Sequence, residues 1–278
     1  ARRMAAGRTL ISVSWSVQRG DHGEQPYWMA VTLAAMLGQI GLPGGGFGFG
    51  YGAVASVGNP AGGLAGPSLA PGDNPVDTFI PVARIADLLL NPGGTLDFDG
   101  STITYPGIRL VYWCGGNVFH HHQDLNRLLA AWQRPETIIV HEPWWNPMAR
   151  HADIVLPCTT TLERNDLGCS SRDNFMFAMQ QAVPPVADSR NDFDIFSGVA
   201  ARLGFGDAFT EGRSEEDWLR YLYNQFRQQA AQHDYEAPEF DDFWEAGHIE
   251  YALLEDRKVL LAGFRADPEA NPLTTPSG

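Results

Sequence analysis

Several stretches carry residue types that could hold an anionic ligand. Gly115-Gly116-Asn117 follows the apolar run Arg109 to Cys114. At the carboxyl end of a strand, such a turn exposes N–H groups to anions, and glycine lets the backbone come close to a pyrophosphate. The next apolar run, Thr137 to His141, ends in His141-Glu142. A carboxylate at that tip can accept both hydroxyls of a ribose. The full G-x-G-x-x-G pattern is missing, so Gly-Gly-Asn by itself is compatible with a nucleotide site and equally with a plain tight turn. Glu163-Arg164-Asn165-Asp166 reads as a solvated loop or as an arginine clamp for phosphate. Asn191-Asp192-Phe193-Asp194 suits a helix start stabilised by acids, and a carboxylate reading the N1–H and N2–H₂ edge of guanine is the sharper alternative.

The run His120-His121-His122 invites a metal reading, with His141 and His151 near in sequence. Adjacent histidines at a helix start point in different directions. Polar contacts, an exposed helix edge or phosphate binding fit better, and no metal ligand is assigned. Cys114, Cys158 and Cys169 form no Cys-x-x-Cys pair. They read as reduced, mostly buried thiols. No Ser/His/Asp or Cys/His catalytic set follows from spacing.

These candidates need a scaffold, and 278 residues with 44% hydrophobic content can build one large domain or two smaller ones. A net charge of −14 with Lys258 as the single lysine argues against nucleic acid or an anionic membrane as partner. No apolar run reaches the roughly 20 residues of a membrane span. No signal peptide is visible, and both ends read as cuts in a longer chain.

Thr9 to Ser14 predicts a buried strand. Pro26 suits the first position of a helix that puts Trp28, Val31 and Ala35 on one face and stops at Gly38. Residues 41–72, rich in Gly and Pro, predict a long loop. A helix with Val82, Ile85, Ala86 and Leu89 on one face follows Pro81. Strands are predicted at Arg109 to Cys114, Thr137 to His141 and Asp153 to Leu156, the first two separated by a helix carrying Leu125, Leu128, Leu129 and Trp132. That alternation predicts an α/β fold with a Rossmann-like parallel sheet flanked by helices. Two helices, one ending at Gly204 and one starting at Ser214, begin a mainly helical C-terminal segment. The division expected is 1–183 for the α/β domain and 184–278 for the helical part.

Ordered motifs make the picture more specific. Trp15-Ser16-Val17-Gln18-Arg19, His22-Gly23-Glu24-Gln25, Leu37 through Gly46, Gly115 through Asp124, and Arg150 through Pro157 followed by Glu163-Arg164-Asn165-Asp166 occur in sequence. From about Trp15 to its end the chain resembles the dimethyl sulfoxide, trimethylamine N-oxide and biotin sulfoxide reductase branch of the molybdopterin oxidoreductases. Asp77 to Ile85, together with Glu211-Gly212-Arg213-Ser214 leading to Trp218, lies slightly nearer the biotin sulfoxide side. The resemblance implies a bis(molybdopterin guanine dinucleotide) molybdenum cofactor, an S- or N-oxide substrate, an electron donor, and further domains of the parent chain as partners. It implies that Trp15, Ser16 and Arg19 line the cofactor and that Asn117 and His121 contact its pyrophosphate or pterin side. It assigns the ribose to His141 and Glu142, phosphate to Arg164, and guanine to Asp194, with Asp192 as competitor. The serine that ligates molybdenum in this family has no counterpart here, so the chain is expected to hold one nucleotide end of the cofactor and to be inactive alone. A stand-alone nucleotide-binding module without redox activity is the alternative, and an NAD-dependent dehydrogenase is disfavoured. Either a cytoplasmic or a periplasmic location is compatible.

Overall fold

Three apolar runs form one parallel sheet in the computed structural model, which describes residues 2–50, 64–98, 100–170, 174–252 and 258–274. Leu110–Cys114, Thr137–His141 and Ile154–Leu156 lie side by side in that order. β-Branched and aromatic residues favour the extended chain, and apolar side chains at successive positions suit a sheet covered on both faces. Alternation sorts them. Val111, Trp113, Ile138 and Val140 belong to a core with Ala86, Leu89, Val118, Phe119, Leu128 and Trp132. On the opposite face, Tyr112 and His141 meet Phe196 of the helix Asp192–Leu203, with ring centroids 5.5 Å and 4.8 Å apart. The α/β class and the parallel sheet expected from sequence are therefore present.

The chain forms two compact units that interleave along the sequence. Residues 1–67, 168–177 and 225–278 make one, and residues 68–167 and 178–224 the other, which contains the whole parallel sheet. In the first unit, Leu10–Ser12 pairs in parallel with Gly46–Gly48. This strand was expected to be buried, yet Leu10 and Ser12 are exposed in a two-stranded ribbon. The helix Gln25–Met36 runs as expected, but Ala30 and Ala34 are its buried positions. Trp28, by contrast, is 65% exposed. Small side chains let this helix approach its neighbours closely, and the large ones face away. Near its end, Arg265 Nη1 donates to the carbonyls of Gly38 and Ile40 at 2.9 Å each. Gly41 must be glycine there: its φ is +78°, and a Cβ would lie 2.6 Å from Arg265 Cβ. Of the long loop predicted over 41–72, residues 51–63 lie outside the described residues.

In the sheet-bearing unit, the helix after Pro81 is a 3₁₀ turn, Val82–Arg84, running into Ile85–Leu90. Ala86 and Leu89 are buried and Val82 is exposed. Asp87 ties this helix to the next by accepting from Arg84 Nη1 at 2.9 Å and pairing with Arg127. Leu125–Ala131 turns Leu128, Ala131 and the capping Trp132 inward and leaves Leu125 and Leu129 outside. The hairpin Thr95–Phe98 with Ser101–Thr104 was not anticipated, nor were Asp166–Cys169, Phe175–Met179 and His248–Glu250. The C-terminal part is helical as expected, with Asp192–Leu203 ending on Gly204 (φ +87°) and Glu215–Ala231 following Ser214. Only Cys158 of the three thiols is buried, which corrects the expectation that most would be. Cys114 and Cys169 each end a strand, where the cover stops.

The inward and outward faces of Leu125–Ala131 give a direct check. Leu128→Ala removes a side chain with 0% exposure and should cost about 3 kcal/mol in urea unfolding. Leu125→Ala should cost less than about 1 kcal/mol. Equal losses would contradict this packing.

Candidate functional site

At the carboxyl edge of the sheet, pairing sets Cys114 beside His141 and His141 beside Leu156. The chain leaves the first of these strands through Gly115 and Gly116, with φ of +76° and +69°. Among the described residues, neighbours in the chain aside, no atom lies within 4 Å of where a Cβ would sit on either, so these glycines serve the turn's left-handed backbone. Asn117 then caps the short helix Val118–His121, its Oδ1 accepting from the Phe119 N–H at 3.0 Å. Its Nδ2 is buried without a hydrogen-bond partner among the described residues. A buried amide donor left unpaired costs about 1–3 kcal/mol, which an acceptor on a ligand would recover. His121 is exposed on the same helix. Burial, helped by neighbouring His121, pushes the His122 imidazole below its ordinary value.

The second strand tip is differently employed. His141 is 3% exposed. Its Nε2 lies 2.8 Å from the Tyr112 hydroxyl and its Nδ1 2.6 Å from Asp192 Oδ1. Glu142, the next residue, is only partly buried, and its Oε1 accepts from the Trp144 N–H at 3.3 Å. Past the third strand, Cys158 forms a parallel bridge with Arg190. Arg190 N–H donates to the Pro157 carbonyl and Thr159 N–H to that of Arg190, both at 3.1 Å. Burial, with Asp192 and Glu142 nearby, pushes the Cys158 thiol up to about 11, so it is unreactive at neutral pH.

The segments joined by that bridge enclose a 240 Å³ cavity whose lining includes Arg164, Arg190, Asn191, Asp194 and Glu215. Glu163 shapes its rim. Its carboxylate accepts from the Thr160 N–H and hydroxyl and from the Val186 N–H at 2.7–2.8 Å, and these bonds, led by the Thr160 N–H, hold it below its ordinary value. Arg164 is aimed by its Nη1 donating to the Thr159 carbonyl at 3.0 Å and its Nε to Asp166 at 3.3 Å. Asn191 spans the wall, accepting from the Thr159 hydroxyl at 2.9 Å and donating to Glu215 at 2.6 Å. Two of the lining residues, Arg164 and Asp194, are ones the sequence offers for a ligand; Asn191 was read there only as part of a helix start, and Arg190 and Glu215 were not singled out. Trp15, Ser16 and Arg19 lie in the other unit, exposed on the 3₁₀ turn Trp15–Arg19. There Tyr27 donates from its hydroxyl to the carbonyls of Ser14 and Trp15 at 2.9 and 3.0 Å. Among the described residues, no three His, Cys, Asp or Glu side chains gather as a metal site.

Burial first, and then the facing Asp194, raises the Glu215 carboxyl above its ordinary value. An acid raised on folding favours the protonated native state. The cost is absent below the unfolded value, about pH 4, and sets in as pH rises through the folded value. Glu215→Gln keeps the acceptor for Asn191 and removes the charge. Its Tm should exceed the wild type's at pH 7 and match it near pH 4, and a deficit at both would contradict the cavity's electrostatics.

Comparison with known proteins matches the molybdopterin oxidoreductase family over residues 3–202. Biotin sulfoxide reductase of Cereibacter sphaeroides is 52% identical over 98% of this chain and 36% of that protein. The dimethyl sulfoxide/trimethylamine N-oxide reductase of the same organism is 48% identical, over 100% of this chain and 35% of that protein. Trimethylamine-N-oxide reductase 1 of Escherichia coli (strain K12) is 42% identical, over 100% and 34%. The chain thus spans about a third of the length of these relatives. Among solved structures, acetylene hydratase from Pelobacter acetylenicus aligns at a TM-score of 0.46 and 15% identity, covering 61% of this chain and 20% of that one. The chain belongs to the molybdopterin oxidoreductase family.

Proposed function

We propose that this chain holds the guanosine end of a molybdopterin guanine dinucleotide within a molybdenum-dependent S- or N-oxide reductase. The observation that carries the reading is the shared cavity of Arg164 and Asp194, a guanidinium and a carboxylate from segments 30 residues apart in number. A guanidinium suits phosphate oxygens, and a carboxylate can accept from both N1–H and N2–H₂ of guanine. The relatives' names support the substrate class, since they are reductases of biotin sulfoxide, dimethyl sulfoxide and trimethylamine N-oxide.

The residues present fit such a cofactor. The buried Nδ2 of Asn117 has no hydrogen-bond partner among the described residues, and an oxygen-rich ligand at the Gly115-Gly116 turn would supply one. Backbone N–H groups of such a turn would suit a pyrophosphate. Glu142 at the next strand tip is the residue for the ribose hydroxyls, and His121 a further contact on the pyrophosphate or pterin side. Trp15, Ser16 and Arg19 are further proposed contacts to the cofactor. Molybdenum, when bound, supplies two-electron oxygen-atom transfer. This chain's residues bind, orient and neutralise the nucleotide. A separate electron donor and the further domains of the parent protein complete the reaction.

Two measurements test the reading. In calorimetric titration with GDP, Arg164→Ala and Asp194→Ala should each weaken binding by about tenfold or more, the loss of one charge-assisted contact. Unchanged affinity in both would refute the site. In a reduced-viologen assay with trimethylamine N-oxide, the 278-residue chain alone should give no rate, and turnover would refute its role as a holder of the nucleotide end only.

A further inference from the structure

His141 ends the central strand of the sheet, yet its ring is closed to any ligand. It is 3% exposed, packed against Phe196 with tilted rings 4.8 Å apart, and engaged at both nitrogens. Ionised Asp192 can only accept, so Nδ1 carries the proton in that bond. In the neutral ring Nε2 then accepts from the Tyr112 hydroxyl. The chain Tyr112–His141–Asp192 thus runs from the edge strand Leu110–Cys114 to the first residue of the helix Asp192–Leu203.

Asn191, just before that helix, makes no side-chain cap, because its amide is committed to Thr159 and Glu215 on the cavity wall. The helix start is therefore pinned at two consecutive residues, one to the wall and one to the strand tip. In an α-helix, residues two apart point about 200° from each other around the axis. Asp192 turned onto His141 leaves Asp194 on the other side, where it lines the cavity with Arg164.

We propose that His141 and Asp192 are a positioning pair: the buried imidazole fixes Asp192 and so sets the angle at which Asp194 enters the cavity. The proposal rests on the reading of that cavity as the guanine site. It removes His141 from the ribose contacts, and it settles the competition between the two aspartates in favour of Asp194 as reader.

The test is calorimetric titration of the 278-residue chain with GDP and with IDP, which lacks the guanine amino group. Asp192→Ala and His141→Phe should each weaken GDP binding about tenfold, and the double variant no further, as expected for two residues acting through one contact. Their preference for GDP over IDP should shrink, whereas mere loosening of the fold would weaken both ligands alike and leave the preference intact. Asp192→Asn, whose amide oxygen still accepts from Nδ1, should stay within about twofold of wild type. Asp194→Asn should lose binding. If Asp192→Asn abolishes binding while Asp194→Asn is tolerated, Asp192 reads the base itself and the proposal falls. If Arg164→Ala and Asp194→Ala weaken binding but Asp192→Ala and His141→Phe do not, the site stands and the positioning pair falls. Should the wild type bind no GDP at all, the cavity reading fails and takes the pair with it.

Discussion

The in-register pairing of three parallel strands fixes everything that happens at one edge of this molecule. Because Cys114, His141 and Leu156 sit level, the chain must turn out of the sheet three times on the same side. Each exit then takes a different chemical character from the residues that follow it. The first is a glycine turn with open backbone and a buried amide donor. The second is a buried imidazole followed by a partly exposed carboxylate. The third runs to the Cys158–Arg190 bridge, which draws residues from far along the sequence into one wall. A slip of one residue in any strand would exchange its two faces, sending Tyr112 or His141 into the apolar core and the core residues toward the helix Asp192–Leu203.

Polar groups along this edge fall into those spent on the protein and those left over. Glu163, Asn191, Asp192 and His141 are spent: their hydrogen bonds close a loop, brace a wall and tie a helix to a strand. Capacity for a ligand remains on the Asn117 amide, on Glu142 and Arg164 beside the bonds they already make, and on the Asp194 side chain of the cavity. That remainder is chemically diverse, with a donor and an acceptor at two strand tips and a cation and an anion in the cavity. A ligand with phosphate, sugar and heterocycle matches such a set better than a compact ion does. The acidic surplus inside the cavity, where Asp194 faces a Glu215 already raised by burial, also favours a base with hydrogen-bond donors over one with only acceptors.

Much of the scaffold could be read in the sequence because its signals are local. Runs such as Leu110–Cys114 and Thr137–His141 are apolar at consecutive positions, and Gly204 marks a helix end by its conformational freedom. Helix faces were harder. In Gln25–Met36 the large residues suggested a buried stripe through Trp28, but the packing chose Ala30 and Ala34, since close approach can outweigh side-chain size. Short strands such as Asp166–Cys169 and His248–Glu250 mix polar and apolar residues and gain their identity only from a distant partner. The hairpin at Thr95–Phe98 and Ser101–Thr104 did carry a signal, the Asp99-Gly100 pair between alternating residues. For the candidate site, single residues were legible and their groupings were not. Arg164 and Asp194 stood out by type, whereas the joint wall with Asn191 and Glu215 follows from tertiary contacts between segments. His141 likewise looked available at a strand tip until burial and two hydrogen bonds accounted for its ring.

The central claim is that Arg164 and Asp194 receive a guanine nucleotide in one cavity. A crystal structure of the chain soaked with GDP tests it most directly. The account predicts the guanine edge against the Asp194 carboxylate and a phosphate beside Arg164, with the Asp192–His141 bond retained. A nucleotide bound elsewhere, or a base held by Asp192 with its bond to His141 broken, would contradict it.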